Sequence, residues 1–86
     1  MEEDKRSAKE LIQKIVVSKS GKKFGEVKDI VFETQNGELM NIILKNPTKY
    51  IEGLGLERNK EGELLIPFHS VIAMGDFLVI NEDDIF

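Results

Sequence analysis

The chain has 86 residues and no cysteine, and its net charge at pH 7 is −4. This length supports one small domain, and the lack of thiols excludes disulfides and thiolate metal sites. A hydrophobic content of 41% with 33% charged residues is typical of a globular chain. No apolar run reaches the length of a signal peptide core or a membrane span, so we expect a cytoplasmic protein.

The charge is unevenly distributed along the chain. Residues 1–28 carry eight Lys or Arg and five Asp or Glu, a net charge of +3. Residues 29–86 carry four Lys or Arg and eleven Asp or Glu, a net charge of −7. An acidic domain disfavours non-specific nucleic-acid binding, which depends on neutralising phosphates. The basic N-terminal third still allows a local contact with an anion.

The N-terminal third is predicted to begin with a flexible segment, residues 1–7. Ser7 and Glu10 have the spacing of a capping box, which predicts a short helix over about residues 8–13. A strand is predicted from Lys14 to Ser18 or Lys19, before the turn signal Ser20-Gly21.

The middle of the chain predicts a hairpin and then a helix. Strands are expected over residues 26–34 and 38–45, with a bulge near Lys28–Asp29 or burial of both faces. Asn36-Gly37 predicts a tight turn between them, since both residues tolerate positive φ. Asn46-Pro47 predicts a helix over about residues 47–52, with Asn46 as cap and Gly53 as the left-handed stop.

The C-terminal third is organised around residues 64–80, LLIPFHSVIAMGDFLVI. Its two apolar runs, 64–66 and 77–80, are too short for helices and suit buried strands. Pro67 ends the first run or lies at a sheet edge, and residues 68–72 are predicted to form an irregular turn. Residues 82–86 form an acidic tail.

Together these elements predict a mainly all-β fold. Five antiparallel strands in a meander, with a sixth short piece near residues 54–56, would close into a small barrel with one or two short helices. Closure removes the exposed sheet edges.

Several predicted strands have apolar residues on both faces. The adjacent pairs are Val31 and Phe32, Ile42 and Ile43, Leu65 and Ile66, and Leu78 and Val79. A monomeric barrel would leave one face in water, so we expect the short helices, a homodimer or a permanent protein partner to cover it. The residues we select for this contact are Ile43, Leu65 and Leu78.

The candidates for chemistry are few. His69 is the only histidine, and without cysteine it makes a poor transition-metal site, so we interpret it as a turn or surface residue. Asp76 follows Gly75 and fits a turn cap. Residues 82–84 lack the spacing of a calcium-binding loop and fit a solvated tail. We therefore expect no catalytic residue, cofactor or metal, and no enzyme activity.

A basic turn is the alternative contact. Lys19, Lys22 and Lys23 surround Ser20-Gly21 and would suit a phosphate. No aromatic residues are interleaved for base stacking, and a solvated loop is the other interpretation.

Two stretches of the chain resemble the PRC-barrel family. Residues 21–32, GKKFGEVKDIVF, are similar to its opening motif of a glycine turn, G-x-V, an acidic residue and a hydrophobic strand. Residues 64–76, LLIPFHSVIAMGD, resemble its closing motif, in which Pro67 and the glycines are fold residues. The resemblance covers about residues 8–81, which we take as the PRC-barrel domain, and the chain's length is most similar to small stand-alone archaeal members.

The resemblance implies a strongly bent β-barrel and a non-enzymatic adaptor that binds an unidentified protein. Stand-alone archaeal members resemble proteins that form homodimers and are tied to the cell-division apparatus. The C-terminal domain of the ribosome maturation factor has the same fold, which gives a ribosome-associated or RNA-processing module as the alternative. The family has no shared catalytic or ligand residues to transfer.

Overall fold

A computed structural model describes residues 10–85 and shows a mainly β fold with little helix. Glu10 and Leu11 are helical, whereas segment 1–7 and the predicted helix cap Ser7 lie outside the described residues. The strands in chain order are β1 (Ile15–Ser18), β2 (Lys23–Phe32), β3 (Leu39–Lys45), β4 (Leu65–Pro67), β5 (Val71–Met74) and β6 (Phe77–Ile80). Helix α1 (Lys49–Glu52) follows β3, and 3-10 turns cover Phe68–Ser70 and Glu82–Asp84.

The six strands form one sheet in the order β4-β3-β2-β1-β6-β5. Four neighbouring pairs are antiparallel, but β1 and β6 run parallel. The predicted antiparallel meander is therefore correct for β1 to β4 and wrong at the junction of the first and last strands. The sheet bends around a single core, which confirms the small PRC-type barrel-like fold. The predicted closure is wrong, because β4 and β5 do not pair and remain edges of the sheet.

The core is formed by side chains from one face of the sheet, sealed by residues of the turns and of α1. Burying each such side chain contributes roughly 1.5–3 kcal/mol relative to leaving it in water. The buried apolar residues are Leu11, Val16, Phe24, Val27, Ile42, Leu44, Ile51, Leu56, Leu64, Ile66, Leu78 and Ile80.

Strand β2 is longer than predicted and contains the predicted bulge. The register passes from Val27 opposite Leu44 to Asp29 opposite Ile43, which leaves Lys28 as the extra residue. Gly25 lies inside the strand and not in a turn. A Cβ atom there would lie 2.9 Å from the carbonyl oxygen of Lys45, so the close approach of the two backbones requires glycine.

The β2–β3 hairpin exists, but its turn is wider than the two residues predicted. The amide of Glu33 donates to the carbonyl of Glu38 at 2.7 Å, and the amide of Gly37 donates to the carbonyl of Glu33 at 2.9 Å. Gly37 has a φ of 74°, whereas Asn36 does not adopt positive φ. One left-handed residue therefore suffices to close this longer loop.

Helix α1 begins two residues later than predicted. Asn46 is left-handed, with a φ of 51°, and the N-cap is Thr48, whose hydroxyl donates to the carbonyl of Lys23 at 2.7 Å. Gly53 is right-handed, and Gly55, with a φ of 71°, makes the left-handed turn instead. Residues 54–56 are not a strand.

The C-terminal third differs most from its prediction. Pro67 is the last residue of the edge strand β4, as its missing amide hydrogen indicated. The predicted turn is only three residues long, and β5 follows it directly. Beyond β6 the chain remains folded, because Glu82–Asp84 is a 3-10 turn and Ile85 packs against the core.

Candidate protein interaction surface

The outer face of the β3–β4 pair is apolar at its centre. Ile43 lies directly opposite Leu65, and Asn41 lies opposite Pro67. Ile42 and Ile66, the neighbours of Ile43 and Leu65, are fully buried in the core, so Ile43 and Leu65 lie on the outer face, where each is half-buried. The structure therefore brings together two of the three residues selected from the sequence, and we call this pair with Pro67 the β3–β4 surface.

Leu78, the third selected residue, requires a correction. Its side chain is fully buried in the core, so it is not available on the outer face. Its neighbours Phe77 and Val79 lie on the outer face instead. The run Phe77–Ile80 is apolar at every position, so the alternation of residue types does not indicate which pair lies inside.

A second apolar region lies on the outer face of β1 and β6. Because these strands are parallel neighbours, Ile15 lies beside Phe77 and Val17 lies beside Val79. Ile15, Val17 and Val79 are half-buried, whereas Phe77 is 49% exposed. This cluster extends the apolar outer surface towards the β5 edge of the sheet.

The β5–β6 hairpin carries the three most exposed large apolar side chains of the described residues. Met74 is 56% exposed, Ile72 is 52% exposed, and Phe77 is the third. The sequence prediction misses this region because it assigns residues 68–72 to a turn and predicts no strand over residues 71–74. Gly75-Asp76 between two apolar runs of four residues is itself a hairpin signal.

A charged strip on β2 separates the two outer apolar regions. Glu26 lies opposite Ile15 on one side and Lys45 on the other. The bulged Lys28 forms an ion pair and hydrogen bond with Glu63, which raises the pKa of the Lys28 ammonium and lowers the pKa of the Glu63 carboxyl. The surface on each side of the strip is therefore a separate apolar site with a polar border.

The basic turn is exposed but partly balanced by an acidic side chain. Lys19, Lys22 and Lys23 are all exposed around the β1–β2 turn, and the Lys22 ammonium lies 5.7 Å from the centroid of the Tyr50 ring. The Tyr50 hydroxyl donates to Oε2 of Glu82 at 2.6 Å. This hydrogen bond lowers the pKa of the Glu82 carboxyl and raises the pKa of Tyr50, and Lys22 also lowers the pKa of Glu82. A carboxylate therefore borders the lysines.

The remaining candidates are placed on the surface. His69 and Asp76 are exposed near opposite ends of β5. In residues 10–85, no three His, Asp or Glu side chains are grouped as metal ligands. A groove of about 310 Å³ runs beside β4, and Glu57 is its only ionisable lining residue. No helix in the described part of the chain has the length and apolar character needed to cross a membrane.

Comparisons with known proteins agree with this architecture. The model of the PRC-barrel domain matches residues 3–85. A relative from Methanocaldococcus jannaschii, "Uncharacterized protein MJ1118", is 30% identical over 82 residues, which are 95% of this chain and 88% of the relative. This small archaeal relative fits the resemblance to stand-alone archaeal members. The chain belongs to the PRC-barrel domain family, a family of small protein-interaction modules.

Proposed function

We propose that this chain is a non-enzymatic adaptor that forms a homodimer and binds another protein through the outer face of its sheet. The observation that carries the proposal is the apolar character of that outer face. A sheet with one face on the core normally presents polar side chains on the other. Here Ile43 and Leu65 are cross-strand neighbours on the outer side, where water would otherwise meet them.

The two outer regions suit two different contacts. The β3–β4 surface is small, half-buried and bordered by polar or charged residues, including Asn41, Asp29 and Lys45. An apolar centre with a polar rim is the usual arrangement of a transient protein contact. The region around Phe77 is more exposed and lies at the sheet's other end. We assign the β3–β4 surface to the protein partner and the β5–β6 end to self-association.

Affinity capture from the protein's own cell extract tests the adaptor function. The tagged chain is used with and without Ile43→Asp, at low and at high salt, and the captured proteins are identified by mass spectrometry. A contact through apolar side chains is retained at high salt, because salt screens charges and does not weaken apolar burial. We expect the same partner at both salt concentrations, and its loss with Ile43→Asp.

Met40→Asp is the matched control for this experiment. Met40 belongs to the same strand, is 45% exposed and lies at the register shift between Asn41 and Leu39, outside the β3–β4 surface. We expect Met40→Asp to retain the partner, and circular dichroism to show both variants folded. If Ile43→Asp and Met40→Asp retain the partner equally, the β3–β4 surface is not its binding site. Division or cytoskeletal proteins among the captured set would link the adaptor to cell division.

The alternative function is a ribosome-associated module that uses Lys19, Lys22 and Lys23. Their common exposure at one turn supports it, whereas the adjacent Glu82 and the acidic net charge oppose it. Contacts with phosphates weaken steeply as salt rises. Ribosomal proteins or RNA that are captured at low salt and lost at high salt would therefore replace the adaptor proposal with this one.

A further inference from the structure

We propose that the second copy of the homodimer docks along β5. The two β5–β6 hairpins pack antiparallel about a twofold axis near Ile72 and Ala73. This inference rests on the proposed function only in requiring a homodimer. Within the β5–β6 end already assigned to self-association, it adds the strand edge along which the two copies pair and their orientation.

Within the described residues, strand β5 is the edge of the sheet opposite β4. Within the described residues its backbone pairs only with β6, so the polar groups on its other side have no strand partner. Natural edge strands are usually protected by charged side chains, proline, a covering loop, a bulge or a very short length. Val71–Met74 contains no charged residue and no proline. Its protection of these kinds is its length of four residues and a bulge at Ile72.

The bulge adds apolar surface at this edge. The register passes from Val71 opposite Ile80 to Ala73 opposite Val79, which leaves Ile72 without a partner on β6. Ile72 and Met74 are each more than half exposed. Met74 lies opposite the core residue Leu78, so it is on the core-facing side of the sheet, where it lines a groove with Leu11 and Lys14. Pairing of two β5 edges would remove Ile72 and Met74, the two most exposed large apolar side chains of the described residues, from water.

The charges around β5 favour a second copy over an unrelated strand. Exposed His69 lies two residues before β5 begins, and exposed Asp76 lies two residues after it ends. In an antiparallel arrangement about the strand centre, His69 of each copy comes near the partner's Asp76. The twofold axis makes this contact twice, so the His69 flank of each copy is complementary to the Asp76 flank of the other. The imidazole donates to the carboxylate whether it is neutral or protonated.

Sedimentation equilibrium of the full chain tests this surface with Met74→Glu and Met40→Glu as a matched pair. Both methionines lie on strands, and their exposed fractions are similar. We expect the wild-type chain to be dimeric at micromolar concentrations. Met74→Glu should raise the dimer dissociation constant by about 100-fold or more, because the twofold axis places the new charge in the interface twice. Met40→Glu should leave the dissociation constant unchanged.

A charge exchange tests the orientation. Asp76→Lys should weaken the dimer by about tenfold, and adding His69→Asp should restore it, because the aspartate then lies near the partner's lysine. A monomeric wild-type chain, a dimer unaffected by Met74→Glu, or equal effects of Met74→Glu and Met40→Glu would overturn the β5 interface. Failure of the charge exchange to restore the dimer would overturn the antiparallel orientation. The adaptor function is tested separately by Ile43→Asp. We expect Met74→Glu to retain the captured protein, so a failure of the β5 interface can be distinguished from a failure of the adaptor function.

Discussion

The two edges of the sheet are protected to very different degrees. At β4, Pro67 has no amide hydrogen, and the amide of Leu65 donates to the carbonyl of Glu57 at 2.9 Å in the loop before the strand. Arg58 forms an isolated bridge with Leu64 beside it. At β5, no second strand of the described residues pairs with the edge, and the exposed side chains of Ile72 and Met74 lie along it. Glu10, Leu11 and Lys14 approach only its Met74 end, where they line a groove.

Because of this difference, we assign the β4 edge to folding of the monomer and the β5 edge to assembly of two copies. At the β4 edge the chain's own loop accepts the Leu65 amide, and Pro67 has no amide hydrogen, so no amide donor of Leu65 or Pro67 is left for a second strand. The β5 edge belongs to a strand whose neighbour β6 is anchored in the core by Leu78 and Ile80. The sheet can therefore remain folded while this edge stays available to a second copy. Changes at the two edges should alter different measured quantities.

The largest expected effect is on the free energy of unfolding, which Ile66→Ala in β4 should lower far more than Met74→Ala in β5. Ile66 is fully buried, so its truncation should lower the free energy of unfolding by about 2–5 kcal/mol. Met74 is mostly exposed, and its truncation should change the same quantity by less than about 0.5 kcal/mol. Urea denaturation at concentrations low enough for a monomer measures both.

The same two variants are also compared by their dimer dissociation constants. Met74→Ala should weaken self-association, whereas folded Ile66→Ala protein should associate as the wild type does. A loss of unfolding free energy with Met74→Ala similar to that of Ile66→Ala would show that β5 serves the fold and not an interface.

A smaller effect concerns the closure of the β4 edge. The hydrogen bond from Lys28 lowers the pKa of the Glu63 carboxyl, with a further contribution from Asn59, so the ionised form stabilises the folded state. This stabilisation is present above the ordinary carboxyl pKa of 4.5 and is lost as the pH falls through the lower folded-state pKa. We expect the exchange protection of the Leu65 amide, corrected for its intrinsic rate, to fall on acidification.

Glu63→Gln is the control for the pH effect. The glutamine keeps the size of the side chain but cannot titrate, so the acid-dependent loss of protection at Leu65 should disappear. A pH dependence at Leu65 that is equal in the two proteins would show that another group controls closure of this edge. The amides of β5 should show no change caused by Glu63→Gln.

The sequence was most informative where local chemistry decides the structure. The period of residues 38–45 places Ile42 and Leu44 on one face, and the broken alternation around Lys28 indicates the bulge that the structure contains. Asn36-Gly37 indicates the hairpin, although the width of the loop depends on how β2 and β3 align. Pro67 marks an edge strand because it lacks an amide hydrogen.

The sequence was least informative where contacts between distant parts of the chain decide the structure. The parallel pairing of β1 with β6 joins strands about 60 residues apart, and turn signals describe only neighbours in sequence. All four residues of β6 are apolar, so the sequence alone does not distinguish buried Leu78 from its outer neighbours Phe77 and Val79. Ile43 and Leu65 were selected for their apolar outer positions, but only the register shows that they are direct neighbours.

Hydrogen exchange measured over a range of protein concentrations tests the difference between the two edges most directly. We predict that the amides of Ile72, Ala73 and Met74 become more protected as concentration rises, because a second copy covers this edge. The Val71 amide already donates to the carbonyl of Phe68. The amides of Leu65 and Ile66 should exchange at the same rate at every concentration, because Leu65 already donates to the loop at Glu57 and Ile66 lies opposite Ile42 in the β3–β4 ladder. Protection at β5 that does not change with concentration, or a concentration-dependent gain at β4, would contradict the account.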